Sequence, residues 1–184
     1  AMKYAMKVRN DLKLKTVFNI LGPLCNPASV SSQAMGTFDK SLTELQAKVL
    51  KNLGSKNVLT FCGDDGLDEL TTTGKTKLTQ FTNGGKIESY EFDPTSFGLK
   101  RASINDLKGG KPDENAKIII DILKGAKGPK RDIVALNAAA GIIVGGKAND
   151  FDDALKIAKY SLDSGDAFKV LEGLRSWMTY SQKF

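Results

Sequence analysis

The sequence contains no histidine. That removes the side chain whose ordinary pKa lies nearest neutrality, and with it histidine-based nucleophile pairs and the usual zinc sites. Any proton transfer falls to carboxylates, lysine, substrate or water. Two cysteines, Cys25 and Cys62, make neither a disulfide framework nor a metal-ligand spacing. A reduced, cytoplasmic setting is the natural expectation. No apolar run approaches the ~20 residues of a membrane span, and no stretch has the layout of a signal peptide. Aromatics are scarce, at 8% of residues, and lysines are spread along the chain rather than bunched between them. The net charge of +6 is compatible with nucleic acid, a phosphorylated ligand or simple solubility. The sparse aromatics argue against a surface that stacks RNA bases. Repeats and low-complexity tracts are lacking too. The 184 residues are therefore read as one unit, large enough to bury a core without staples.

What is present reads as α/β. Residues 2–14 carry apolar positions between lysines, an amphipathic helix pattern. Gly22-Pro23 and Asn26-Pro27 mark a tight, irregular connection. Residues 33–38 form a short strand candidate. Ser41 and Glu44 then read as a capping box, with Leu42, Leu45, Val49 and Leu53 on one helical face and Gly54 as the stop. The apolar run 57–62 follows as a buried strand, so 33–62 is a βαβ unit, which builds parallel sheet. Residues 77–82 and 86–92 flank Asn83-Gly84-Gly85 as a partly exposed edge hairpin. A long connection over 93–112 leads to a helical remainder. One helix starts at Asp113; another, over 133–144, is apolar all round and predicted to be the central buried helix. Two amphipathic helices cover 151–162, capped by Asp150, and 167–180. The expected fold is thus a partial parallel or mixed sheet flanked by helices, with an edge β-hairpin and a helical C-terminal third.

The chemistry concentrates after the buried strand, in Gly63-Asp64-Asp65-Gly66-Leu67-Asp68-Glu69-Leu70-Thr71-Thr72-Thr73-Gly74. Ligand sites of α/β sheets gather outside the carboxyl ends of strands. Magnesium prefers carboxylate oxygens and keeps several waters, so adjacent Asp68 and Glu69, whose side chains diverge in an extended segment, are candidates to hold one such ion from different directions or to serve two. The competing reading is a solvated acidic turn in which a carboxylate caps the chain or pairs with lysine. The threonines read as the start of a strand. Gly141–Ala148 nearly matches a phosphate-binding loop, but Ala148 has no hydroxyl for a metal and the stretch closes a helix, so Gly145-Gly146 is read as a C-cap. Arg9 is the only arginine in the first hundred residues. A guanidinium suits a carboxylate gripped by two hydrogen bonds, though an exposed helix arginine needs no ligand.

Three stretches together resemble one family. Val8-Arg9 with Thr16–Leu24 and Asn26-Pro27, Gly66–Leu70 with Thr72-Thr73-Gly74, and Leu136–Ala140 resemble, in order and spacing, the C-terminal part of the anthranilate phosphoribosyltransferases. That family has a nucleoside phosphorylase-like catalytic domain. Lys13, Lys15 and Cys25 stand where the family usually has glycine, arginine and threonine. The resemblance implies transfer of phosphoribosyl from phosphoribosyl pyrophosphate to anthranilate in tryptophan biosynthesis. It implies that Arg9 contacts the anthranilate carboxylate, that Gly22 and Pro23 lie near the anthranilate entrance, and that Asp68 and Glu69 bind Mg2+. It further implies that the family's glycine-rich phosphate loop and N-terminal helical domain would precede residue 1. The chain is then a catalytic-domain fragment, expected to be inactive alone, of an enzyme that dimerises through the missing domain. Two other functions remain open on the residues: a nucleic-acid-binding relative of the same fold, and a nucleoside phosphorylase.

Overall fold

The computed structural model describes Asp11 and residues 18–181. Apart from Asp11, the helix predicted over 2–14, Arg9 included, lies outside the described residues. A helix, α1 (Phe18–Leu24), precedes four strands: β1 (Ser32–Gly36), β2 (Asn57–Gly63), β3 (Thr76–Phe81) and β4 (Glu88–Phe92). They form one sheet in the order β1-β2-β3-β4. β1 and β2 are parallel, with Ser32 opposite Asn57 and Gly36 opposite Phe61, while the other two pairs are antiparallel. Parallel neighbours need a crossover, and α2 (Leu42–Asn52) supplies it.

The apolar run of β2 is buried along its length because both faces are covered. Val58 joins Met35, Ala47, Leu50 and Phe81 beneath α2. Leu59 and Phe61 point the other way, into a larger cluster with Leu70, Leu78, Leu136, Ala139, Phe151 and Leu155. The helices of that second layer are α3 (Ile104–Leu107), α4 (Pro112–Leu123), α5 (Pro129–Val144), α6 (Phe151–Asp163) and α7 (Asp166–Ser181). Asp150 caps α6 by accepting a hydrogen bond from the Asp153 N–H at 2.9 Å. Gly146, with φ +67°, follows the last turn of α5, so the near-match to a phosphate loop is a helix end. Among the described residues no helix is long and apolar enough to cross a membrane.

Four expectations need correction. Ser41 does not cap α2: its backbone is already helical and its side chain makes no capping bond. Asp39 does that work, accepting from the Ser41 N–H and hydroxyl at 2.8 Å each. Glu44 instead reaches Ser89 and Lys77 across the sheet. Gly22-Pro23 is not an irregular connection: both lie in the last turn of α1, with Pro23 inside the helix, whereas the hairpin is partly exposed at the sheet edge as expected, β3 buried and β4 exposed. The long connection contains a short 3-10 turn, Pro94–Phe97, as well as α3. Finally, α5 starts four residues before Ile133, with Pro129 at its first position, where a missing N–H costs nothing. It is not buried all round either. Ala135, Leu136, Ala139 and Ala140 face the core, whereas Val134 remains 41% exposed. Small apolar residues in a helix do not by themselves say how many of its faces are covered.

Asp39→Ala is expected to destabilise the chain by about 1 kcal/mol, the usual worth of a lost cap. Ser41→Ala should cost only a few tenths by the same comparison. Urea denaturation of both variants checks this, and a larger loss at Ser41 would restore the capping box.

Candidate functional site

The acidic loop leaves the C-terminal end of β2 and folds back over the end of β1. Gly36, the last residue of β1, makes this approach possible: a Cβ there would collide with the Asp68 carbonyl. A side chain on Gly63 would likewise meet the Asp65 carboxylate. Within the loop, the Gly63 N–H donates to the Leu67 carbonyl at 2.9 Å, and the Gly66 N–H to the Gly63 carbonyl at 3.0 Å. Gly66 has φ +81°, a left-handed turn for which glycine is the favoured residue. The loop therefore lies across the carboxyl ends of the two parallel strands, the region where α/β sheets bind ligands.

The four carboxylates divide into two pairs with different surroundings. Asp64 forms an exposed ion pair with Lys40. Asp65 is the hub of the loop. It accepts hydrogen bonds from the Thr71 and Thr73 hydroxyls, and from the Leu67 N–H at 3.0 Å. Burial pushes the Asp65 carboxyl up, but those three donors outweigh it and leave its pKa below the usual carboxylate range. The threonines thus do not begin a strand, which starts at Thr76; two of them hold Asp65.

Asp68 and Glu69 are exposed, and neither has an ion-pair or hydrogen-bond partner among the described residues. Partial burial, and then the adjacent Asp68 charge, raise the Glu69 carboxyl above its ordinary value. A cation between them would reverse that cost. Among the described residues no cluster of three or more metal-ligating side chains occurs. Two carboxylates would suffice only for an ion such as magnesium, which takes one or two of them and fills its shell with water and phosphate oxygens.

The structure does not bring Gly22 and Pro23 to this pair. Both are exposed in α1. Pro23 borders a cavity of about 280 Å3 with Leu24, Ser31, Gln33, Leu53 and Ser55, at the N-terminal ends of β1 and β2. The length of β1, roughly 13 Å at ~3.3 Å per residue, separates that cavity from the acidic loop.

Of three further residues that shape the site, Asp65 lies in the acidic stretch and Asn137 in Leu136–Ala140, while Gly36 falls in no motif. Gly36 and Asp65 act through backbone approach and hydrogen bonds that no periodicity records. Asn137 of α5 lies in a stretch matched only as a pattern. Its side chain meets the Leu70 peptide, accepting from the Leu70 N–H and donating to the Leu70 carbonyl, each at 2.9 Å.

Comparison with known proteins places this arrangement. Residues 1–168 match the family described as glycosyl transferase family, a/b domain. An anthranilate phosphoribosyltransferase of Methanobrevibacter smithii is 46% identical over 172 residues, covering 94% of this chain and 51% of that protein. The crystal structure of the Thermus thermophilus anthranilate phosphoribosyltransferase superposes with a TM-score of 0.85 at 39% identity, over 93% of this chain and 50% of that one. The Saccharomyces cerevisiae enzyme in complex with PRPP and Mg gives 0.83 at 29% identity, over 93% of this chain and 49% of that one. The chain therefore spans about half the length of the relatives it matches.

The lowered Asp65 pKa has a consequence for acid stability. Its hydrogen-bonded carboxylate stabilises the loop fully above the unfolded value near 3.8, and that contribution is lost as pH falls through the lower folded value. Asp65→Asn should lower stability at pH 7 and flatten the acid limb below about pH 4. Urea midpoints of parent and variant from pH 3 to 7 check this, and parallel curves would remove Asp65 from its place as the hub.

Proposed function

This chain belongs to the glycosyl transferase family through its a/b domain, and we propose that it supplies the metal-holding half of an anthranilate phosphoribosyltransferase in tryptophan biosynthesis. The observation that carries this reading is the unpartnered Asp68–Glu69 pair, held over the carboxyl ends of two parallel strands within a fold shared with that enzyme. In the reaction, the anthranilate nitrogen bonds to C1 of the ribose as the bond from C1 to the pyrophosphate oxygen breaks. Pyrophosphate leaves with the bonding electrons, and the amine proton passes to solvent or to the departing phosphate.

Asp68 and Glu69 would hold the Mg2+ that accompanies the pyrophosphate. When bound, the ion supplies neutralisation of the leaving group's charge, an effect worth several kcal/mol in such transfers. The chain's own part is to present two carboxylates that no lysine among the described residues pairs with, at the place where phosphate oxygens arrive. Arg9 would grip the anthranilate carboxylate through paired hydrogen bonds. Gly22 and Pro23, which lie apart from the pair, would border the approach of the aromatic acid and would not touch the metal. An aromatic amine is neutral and already nucleophilic, so the step needs little base catalysis. The nucleic-acid reading draws no support of this kind, since phosphate-backbone binding has no use for unpaired carboxylates, and the Thr16–Pro27 stretch and the relatives matched favour the transferase over a nucleoside phosphorylase.

The test follows anthranilate fluorescence with phosphoribosyl pyrophosphate and Mg2+ in a polypeptide of the relatives' full length that carries this half. Loss of fluorescence is expected, slowed by on the order of 100-fold when Asp68→Asn and Glu69→Gln are combined, the scale of a few kcal/mol of charge stabilisation. No loss in the parent polypeptide would overturn the activity. An unchanged rate and Mg2+ requirement in the double variant would overturn the role of the pair.

A further inference from the structure

We propose that Asn137 is a positioning residue for the Asp68–Glu69 pair, clamping the Leu70 peptide from α5 so that both carboxylates are held in place over the strand ends. The inference rests on the reading of that pair as metal-holding and deepens it. Its basis is where the loop is pinned. Leu67 has both backbone groups engaged: its N–H donates to Asp65 Oδ1 at 3.0 Å, and its carbonyl accepts from the Gly63 N–H at 2.9 Å. Leu70 also has both engaged, and one side chain does it, with Asn137 Oδ1 accepting and Nδ2 donating at 2.9 Å each. The two residues between these doubly bonded peptides are Asp68 and Glu69. Neither carboxylate is held by anything else among the described residues, so their position is inherited from the two flanking anchors.

The anchors differ in what fixes them. The Leu67 anchor is local, built from residues within the loop itself. The Leu70 anchor joins positions 67 apart in sequence and is as rigid as α5. That helix is seated by Ala135, Leu136, Ala139 and Ala140, all at 0% exposure. Asn137 Nδ2 also donates to the Ile133 carbonyl one turn back, at 3.0 Å. This third bond fixes the orientation of the amide, which thereby presents its oxygen and nitrogen to Leu70 in one sense. Leu70 is itself fully buried, so without Asn137 its N–H and carbonyl would lose their partner where water has little access. Asparagine is a poor helix former, and it is the one uncharged polar residue in α5. A plain packing role at this position would be met by alanine, as at its neighbours. A bidentate grip on a peptide requires the amide.

Asn137→Ala removes both bonds. Asn137→Asp is nearly isosteric and keeps an acceptor for the Leu70 N–H while losing the donor to its carbonyl. Val134→Ala, on the exposed side of α5, serves as the control. In the 184-residue chain, NMR would follow hydrogen exchange at the Leu70 amide and Mn2+ broadening of the Asp68 and Glu69 amide resonances. Relative to β2 amides, Leu70 exchange should accelerate at least tenfold in the alanine variant and less in the aspartate variant. The Mn2+ concentration for half-broadening should rise by about 10–100-fold, as for other residues that orient metal ligands, and neither should move in Val134→Ala. Folded variants with unchanged Leu70 exchange and unchanged broadening would overturn the proposal. Faster exchange with unchanged Mn2+ response would also overturn it, leaving Asn137 a structural tie only. If Mn2+ does not broaden the pair in the parent chain, the metal reading falls. The Leu70 exchange, with the Asp68 and Glu69 amide shifts of the variants, then decides the positioning assignment alone. Should the alanine variant not fold, the aspartate variant gives the same two readouts.

Discussion

Two neighbouring parallel strands cannot be joined by a tight turn, and much of this chain follows from meeting that constraint between β1 and β2. The chain must leave the end of β1, cross one face as α2, and return to the beginning of β2. That crossover covers one face of β2, and the later helices cover the other, so β2 is buried throughout. It also leaves the two carboxyl ends side by side. The segment between β2 and β3 then detours over the end of β1, where the Asp68 carbonyl presses on Gly36. The candidate site is a by-product of topology before it is a matter of particular side chains.

Buried polar groups show how the layer beneath α2 is kept in register. The Thr60 hydroxyl donates to the Thr43 carbonyl at 2.8 Å, and the Thr79 hydroxyl meets the Thr43 hydroxyl at 3.1 Å and Ser89 at 2.8 Å. Each bond adds little net stability, but losing a partner there would cost more than the bond contributes. The surface ion pairs matter less, since exposed pairs are worth about 0–1 kcal/mol. Arg131 differs, being 6% exposed and bonded to Asp163 at 2.8 Å. Removing Asp163 would leave a buried charge without its counter-ion.

Much of the architecture was legible along the chain. The crossover unit, the hairpin glycines, the Asp150 cap and the helical C-terminal third each left a local mark, because periodicity and turn chemistry act over a few residues. The errors arose where two local solutions compete. Ser41 and Asp39 both can satisfy the first N–H groups of α2, and only the angle at which the chain enters selects Asp39. Threonines before β3 could begin a strand or bond a carboxylate, and the return of the loop onto Asp65 selects the second. Helix α5 looked buried on every side because alanine and glycine suit both a crowded interface and an exposed face.

The residues by themselves determined which chemistry this protein could offer. Without histidine, and with an acidic loop after a buried strand, carboxylates and a hard cation were the available means. The order and spacing of the motifs pointed to the family that the comparisons bear out. Only the tertiary structure decided what engages the two carboxylates of the loop outside the Asp68–Glu69 pair. Asp64 and Asp65 are consumed by Lys40 and by the threonine hydroxyls, while Asp68 and Glu69 are left unpaired between two pinned peptides. The reason is physical: a carboxylate's availability depends on which donors fold against it. Those donors are Lys40, 24 residues before Asp64, and Thr71 and Thr73, which the returning loop brings back onto Asp65, and no periodicity records either meeting.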